Sequence, residues 1–498
     1  MSHQKKVIIA GSGVAGMAAA IRLSVMGFEV EVYEKNSYPG GKLYAFVKDG
    51  FHFDAGPSLF TQPKNITELF EFASVPVDEY ITWQPVPVAC KYFYENGKII
   101  NAYTNKAAFA NELQQQLNES SAAVSRYLRD AERLYNNVGS IFLQHSLHKA
   151  ATWLHPRTIK ALATVRFTHL LHTLHHYNKN HFASAEAVQL FNRFATYNGS
   201  NPYQAPAMLS MIPHLEQNEG TFYPNGGMIS ITRALYQLAL DKGVRFCFNT
   251  PVQRIIHAGG KVSGIIAGDK NIAADIIVSN ADVYHTYKHL LQQDAKALKI
   301  MRQERSSSAV IFYWGINRNF DELQLHNIFF SGDYLKEFNH IFKLKQMYAD
   351  PTVYINITSK TEATHAPPGM ENWFVMVNAP ADTGQHWDAL KQKLRNIIIE
   401  KLSRLLGADI GACIVTEQTL DPLMIEQQTA SAMGALYGTS SNTRFAAFLR
   451  QPNFSKSIKG LYCCGGSVHP GGGIPLCLKS AAITSNLVAA DYNASKKQ

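Results

Sequence analysis

The stretch KKVIIAGSGVAGMAAAIRLSVMGFEVEVYEKN, Lys5 to Asn36, constrains this chain more than any other. Val7 to Ala10 form a short apolar run that predicts a strand. Gly11, Gly13 and Gly16 follow at G-x-G-x-x-G spacing. Ala15 to Met26 carry helical periodicity, and Gly27 ends that helix. Val30 to Tyr33 predict a second strand, with Glu34 at its end. A strand, a glycine turn, a helix and a second strand within about thirty residues point to a βαβ unit and a parallel sheet.

Each position in this unit has a physical job. Gly11 permits the tight turn, Gly13 lets a pyrophosphate approach the backbone, and Gly16 lets helix and strand pack closely. The first helical residues, Val14 and Ala15, present free N–H groups and the positive end of the helix dipole to phosphates. Glu34 can accept hydrogen bonds from ribose hydroxyls, and its charge disfavours a 2′-phosphate. The preceding strand, the following helix and the acid together predict a bound dinucleotide. They do not by themselves separate a nicotinamide from a flavin.

Three further pieces favour the flavin. After Glu34 comes KNSYPGGKLYAF, with Gly40 and Gly41 paired and Lys42 following, and then GFHFDAGPSLF. This second glycine pair with its basic residue resembles the flavin-binding pattern of the amine oxidase and phytoene desaturase superfamily. PVQRIIHAGGKVSGIIAGDKNIAADIIVSNAD, Pro251 to Asp282, shows alternating strands, a Gly259-Gly260 hairpin and an apolar strand ending in Asn280. Near the C-terminus, GGSVHPGGGIPL crowds five glycines and two prolines ahead of a helical run. The resemblance implies that the strand near Val252 returns beside the adenine. It also implies that the last turn meets the flavin ring, with the final helix aimed at the pyrimidine end. A helix N-terminus there stabilises the negative charge of reduced flavin. Pro475 suits the first turn of that helix, and Gly471 to Gly473 clear side chains from the ring. The implied cofactor is FAD. Its implied binding set is Gly11, Gly13, Val14, Ala15, Gly16, Glu34, Lys35, Gly40, Gly41, Lys42, Pro57, Ser58, Val252, Gly466, Gly473, Ile474 and Pro475.

With these pieces in place, the chain resembles carotenoid desaturases of the bacterial phytoene-desaturase type nearly end to end. FATYNGSNPYQAPAMLSMIPHLEQNEGTFYPNGGM at 194–228 and GALYGTSSNTRFAAFLRQPN at 434–453 look like further family signatures. DAGPSLFTQP and GGSVHPGGGIPLCL look closest to the hydroxycarotenoid 3,4-desaturase branch. The implied fold is α/β. A Rossmann-type FAD-binding domain of the glutathione reductase/amine oxidase superfamily type carries an inserted mixed-sheet and helical domain for substrate and membrane. The FAD-binding segments are placed at 1–90, 220–300 and 440–498, and the substrate segments at 91–219 and 301–439. The implied reaction removes two hydrogens from a C–C bond beside a polyene, one of them as hydride to the flavin. The substrate is an acyclic carotenoid drawn from the bilayer. A carotenoid isomerase, a retinol-saturase-like flavoprotein and a non-catalytic prenyl-lipid carrier share this fold. The intact glycine pieces argue against the carrier.

Composition narrows the partners. Of 498 residues 46% are hydrophobic and 17% charged, enough for a large core and two domains. The net charge is +9 with Lys and Arg scattered, which speaks against nucleic acid and suits an anionic membrane surface. No apolar run is long enough to span a bilayer, and the N-terminus enters a strand directly. The expected location is cytoplasmic, peripheral on the inner membrane face. Residues 161–182 read as an amphipathic helix. Ala163, Phe167, Leu170, Leu171 and Leu174 share one face, and Arg166, His169, His172 and His176 the other. No carboxylate joins these histidines, so no metal site is expected. The six cysteines form no C-x-x-C and are expected reduced and buried, Cys463 and Cys464 in a core strand. No catalytic triad order, carboxylate pair or cysteine motif stands out. The chemistry expected here rests on positioning in an apolar tunnel, and no catalytic residue is assigned. His469 reads as a hydrogen-bonded structural histidine.

Overall fold

The computed structural model describes residues 4–154, 156–165, 167–443 and 450–496. The opening unit forms as expected, with strand Lys6–Ala10, helix Val14–Val25 and strand Glu29–Tyr33. Gly27 closes the helix at φ +89°, a conformation that side chains resist.

Among the described residues the first strand sits at the centre of a five-stranded parallel sheet. Its order is Arg245–Cys247, Glu29–Tyr33, Lys6–Ala10, Ile276–Ser279, Leu461–Cys463. A parallel sheet covered on both faces needs continuous apolar runs, and VIIA and IIVS supply them. Helices Val14–Val25, Ile229–Asp241 and Ile474–Lys496 pack together on one face. Ala18, Ala19 and Ala20 are fully buried there and allow close approach. On the other face lies the antiparallel ribbon Val252–Ala258, Lys261–Ala267, Lys270–Ala273, which turns at Gly259 and Gly260 as expected.

A seven-stranded mixed sheet forms the second layer. Its order is Ile414–Leu420, Ser308–Ile316, Glu371–Ala379, Val353–Ile357, His326–Phe329, Val88–Phe93, Ile99–Tyr103. Only His326–Phe329 and Val88–Phe93 run parallel. Strand Ser308–Ile316 is buried at every position because both faces are covered. Val310, Phe312 and Trp314 pack with Leu394, Ile398 and Leu402 of helix Trp387–Leu406. Alternate residues Ile311 and Tyr313 join Phe53 and Phe374 on the opposite face.

The segment 161–182 departs from expectation. It is not one helix but parts of three: Pro156–Thr164, Phe167–Leu171 and Leu174–Lys179. Thr173 starts the last by accepting from the His176 N–H at 3.2 Å. The Leu174 and His175 N–H groups donate instead to the carbonyls of Ala205 and Pro202. Leu174 and His169 are therefore buried, while Leu170 and Leu171 remain 42% and 49% exposed. Arg166 and the side chains of Ala163 and Phe167 lie outside the described residues. His172 and His176 meet ring to ring, but His169 turns inward against Tyr177. Among the described residues no helix is long and apolar enough to cross a membrane.

Candidate functional site

The first turn is built around a side chain that sequence reading left without a role. Asn280 follows strand Ile276–Ser279, and its Nδ2 donates to the Cys464 carbonyl at 3.2 Å. A Cβ on Gly13 would come within 2.7 Å of its Oδ1, and a Cβ on Gly465 within 2.7 Å of its Nδ2. A Cβ on Gly16 would stand 2.2 Å from the Gly11 carbonyl, so Gly16 is bare for helix–strand packing. The second glycine pair lies over the first turn. The Gly40 N–H donates to the Ser12 carbonyl at 2.9 Å, and a Cβ on Gly41 would reach the Gly13 Cα at 3.3 Å.

Glu34 is 6% exposed and already partly engaged. Its Oε2 accepts from the Ser12 N–H at 2.8 Å and the Ser12 hydroxyl at 2.9 Å, and its Oε1 from the Asn36 N–H at 2.9 Å. Carboxylate oxygens accept more than one donor, so acceptor capacity remains for ribose hydroxyls. Ser12, the variable residue inside G-x-G, carried no sequence signal beyond its place in the loop.

A cavity of about 890 Å³ opens beside these turns. It is lined by Gly11, Gly13, Val14 and Ala15 from the first turn, Glu34 and Lys35 after the second strand, and Gly40, Gly41 and Lys42. Pro57, Ser58, Val252, Gly466, Gly473, Ile474 and Pro475 line it too. Of the predicted set only Gly16 does not. Bare backbone, the N-terminus of a twelve-residue helix and a carboxylate form a donor and acceptor set suited to a dinucleotide. Lys42 donates to the Leu436 carbonyl at 2.8 Å, and burial draws its pKa down against the pull of Asp282.

The C-terminal turn faces the cavity through Gly472 and Gly473 and is also crowded by protein partners. Gly473 faces open space at φ +103° and gives the helix its entry angle. Gly472, which lines the cavity, and Gly471 are also bare for protein partners. A Cβ on Gly472 would strike the Tyr437 ring at 2.7 Å, and one on Gly471 would meet the Arg450 guanidinium at 3.1 Å. Arg450 donates to the carbonyls of Tyr437 at 2.6 Å and Gly466 at 3.1 Å, tying two turns together. Burial and the neighbouring Arg305 push its pKa down to about 10. His469 does not line the cavity. Its Nε2 lies 3.0 Å from the His145 carbonyl, and burial, with His148 beside it, pushes its pKa down to about 4. It is structural, as expected. Cys463 and Cys464 are buried, also as expected, as are Cys413 and Cys90, the last on the cavity wall, whereas Cys247 and Cys477 are only partly buried.

Past Ser58 the cavity runs over one face of the seven-stranded sheet. Ile311, Ile328, Tyr354, Phe374, Met376 and Leu420 line it. Strand alternation puts them on one side, because Ile311 faces Met376 and Leu420 in register and Ile328 faces Tyr354. A few polar groups interrupt this wall. Tyr354 Oη is 2.8 Å from Ser58 Oγ and 2.8 Å from His326 Nδ1. Arg193 holds both oxygens of Glu216 at 3.0 and 2.9 Å, and Tyr197 donates to the same carboxylate. Burial alone would lower the guanidinium pKa, but Glu216 holds it well above its ordinary value. Of these polar groups only Ser58 was found from sequence, because the partners of the others meet only through the fold. The cavity thus joins a nucleotide cradle to an apolar chamber with sparse, oriented polar groups.

Comparison with known proteins agrees with this geometry. The family model described as flavin-containing amine oxidoreductase matches residues 14–489. The chain is 49% identical to a 1-hydroxycarotenoid 3,4-desaturase of Flavobacterium sp. (strain P99-3), over 97% of this chain and 99% of that protein. It is 30% identical to a 4,4'-diapolycopene oxygenase of Methylomonas sp, over 98% and 99% of the two chains. Among solved structures, an oxidoreductase from Methanosarcina mazei shares the fold with a TM-score of 0.64 at 17% identity, covering 97% of this chain and all of that one.

Proposed function

The chain belongs to the flavin-containing amine oxidoreductase family and is an FAD-dependent oxidoreductase, and from that premise we propose that it desaturates an acyclic carotenoid, specifically a 1-hydroxycarotenoid at the 3,4 bond. The observation that carries this reading is the single cavity that joins the glycine turns to an apolar chamber. The glycine turns, Glu34 and the N-terminus of the final helix would hold FAD, with Gly16 serving helix–strand packing behind the cradle. Bound FAD supplies a ring that accepts a hydride from the substrate. The rest is the work of the chain itself. The apolar wall of Ile311, Ile328, Phe374 and Met376 aligns a polyene and excludes water from it. We assign segments 1–90, 220–300 and 440–498 to cofactor binding and 91–219 and 301–439 to substrate and membrane. The membership of strands in the two sheets supports that division, except that strand Val88–Phe93 of the seven-stranded sheet runs across the 90/91 boundary.

The substrate reaches this cavity from a bilayer, and we place a peripheral membrane contact on the short helices Ala150–Leu154, Pro156–Thr164 and Phe167–Leu171. They expose Trp153, Leu154, Ile159, Leu170 and Leu171. The net charge of +9 favours the anionic inner face. The test is reconstitution with FAD in liposomes carrying either a 1-hydroxylated acyclic carotenoid or its 1-deoxy counterpart. A red-shifted product two hydrogens lighter from the hydroxylated compound is expected. A bound flavin with product of unchanged mass would replace desaturation by isomerisation.

A further inference from the structure

The cavity wall holds a buried donor with nothing to donate to. His326 lines the cavity, is 2% exposed, and pairs across the sheet with Asn356. Asn356 Nδ2 donates to the Leu325 carbonyl at 3.0 Å, which sets the orientation of the amide. The same Nδ2 lies 3.2 Å from His326 Nδ1. An amide N–H facing Nδ1 makes that nitrogen the acceptor, so the ring proton sits on Nε2. Tyr354 Oη lies 2.8 Å from the same Nδ1, and in this tautomer its hydroxyl is the donor of that contact and shares the one lone pair with the amide. Burial, and then the charge of Arg193, push the imidazole pKa down to about 3, so the ring is neutral. Its Nε2–H has no hydrogen-bond partner among the described residues. Buried N–H groups are nearly always paired, and this one stands on the wall of a binding cavity.

We propose that His326 Nε2–H is the donor that selects a hydroxylated end group, binding the hydroxyl oxygen of an otherwise apolar polyene. This deepens the desaturase reading and rests on it. Tyr354 links the donor to the cofactor side, since its hydroxyl touches both Ser58 and His326. In a substrate hydroxylated at C1 and oxidised at C3–C4, the reacting bond begins two bonds from the carbinol carbon. A hydroxyl clamp must therefore stand close to the reacting end, and a single side chain, Tyr354, bridges His326 to Ser58 of the implied cofactor set. A substrate without the hydroxyl would leave Nε2–H unpaired in a dry site, and that penalty is the source of selectivity.

The experiment is equilibrium binding to the FAD-loaded protein in detergent micelles, read by quenching of tryptophan fluorescence. The probes are a 1-hydroxylated acyclic carotenoid and its 1-deoxy counterpart. The wild-type chain should bind the hydroxylated probe about ten- to a hundredfold more tightly. In His326→Leu the two affinities should converge. His326→Gln, whose amide N–H reaches the place of Nε2, should recover much of the preference. His326→Asn reaches only the place of Nδ1 and should behave like leucine. Flavin content at the wild-type level certifies the fold of each variant. Equal affinities in the wild type, or a preference that survives His326→Leu, would overturn the proposal. Turnover of the same samples tests the underlying reading separately. A hydroxyl preference with product of unchanged mass would remove desaturation and leave the hydroxyl site standing.

Discussion

Glu34 shows what a single residue does at this site. Both of its oxygens accept from donors of the protein, Oε2 from Ser12 and Oε1 from Asn36. Glu34→Ala removes these acceptors and those offered to a ribose, so FAD should bind about 1–3 kcal/mol more weakly. The more telling variant is Glu34→Gln. A glutamine must turn its NH₂ toward one of two backbone donors, so it should lose as much as alanine or more. Titration of FAD into the apoprotein, followed by flavin fluorescence, measures both. A glutamine variant with wild-type affinity would mean the carboxylate does not organise the loop. The acid itself was legible in the sequence because it ends a strand after a glycine turn. Asn280, which explains why Gly13 and Gly465 must be bare, was not, since the three residues meet only in the folded chain.

Elements divide the same way. The opening strand, turn, helix and strand were readable to within a residue, since hydrophobic period and glycine placement decide them locally. The helical region at 161–182 was misread because its apolar stripe is continuous while its backbone is not. Thr173 caps a new helix and distant carbonyls of Ala205 and Pro202 take the freed N–H groups. This changes which residues can touch a membrane. Leu174 is core, and the exposed apolar side chains include Leu154 at 75%, Ile159 at 58% and Leu170 at 42%. Replacing these three with serine should weaken vesicle binding by about 1 kcal/mol each, roughly a hundredfold together. Cosedimentation with anionic liposomes reads this out, with flavin content as the control for folding. Undiminished sedimentation would move the membrane contact to another face.

At the scale of the whole molecule, the cofactor side was legible and the substrate side was not, for one physical reason. A nucleotide cradle is made of turns whose residues are neighbours in the chain. The substrate chamber is made of one face of a sheet whose strands come from widely separated segments, and its polar groups pair across strands, as His326 does with Asn356. Burial leaves several histidines across the fold neutral: it pushes His326 down to about 3, and His365 and His469 to about 4. Unfolded, each would take up a proton near pH 6.5. Above about pH 6.5 both states are neutral and stability is full. As pH falls from there toward 4, the unfolded chain binds protons that the folded chain refuses, so stability is lost. Each histidine contributes up to about 1.4 kcal/mol per pH unit in that window. Glu219, held at about 2, adds its loss as pH falls from the ordinary glutamate value toward 2, below the histidine window. Urea midpoints measured with FAD in constant excess should therefore hold steady from pH 8 to 7 and drop steeply between 6.5 and 5. His469→Gln should flatten that slope by the share of one proton. A midpoint that stays level to pH 5 would mean these rings are protonated in the fold, and with that the neutral, Nε2-protonated state of His326 would fall as well.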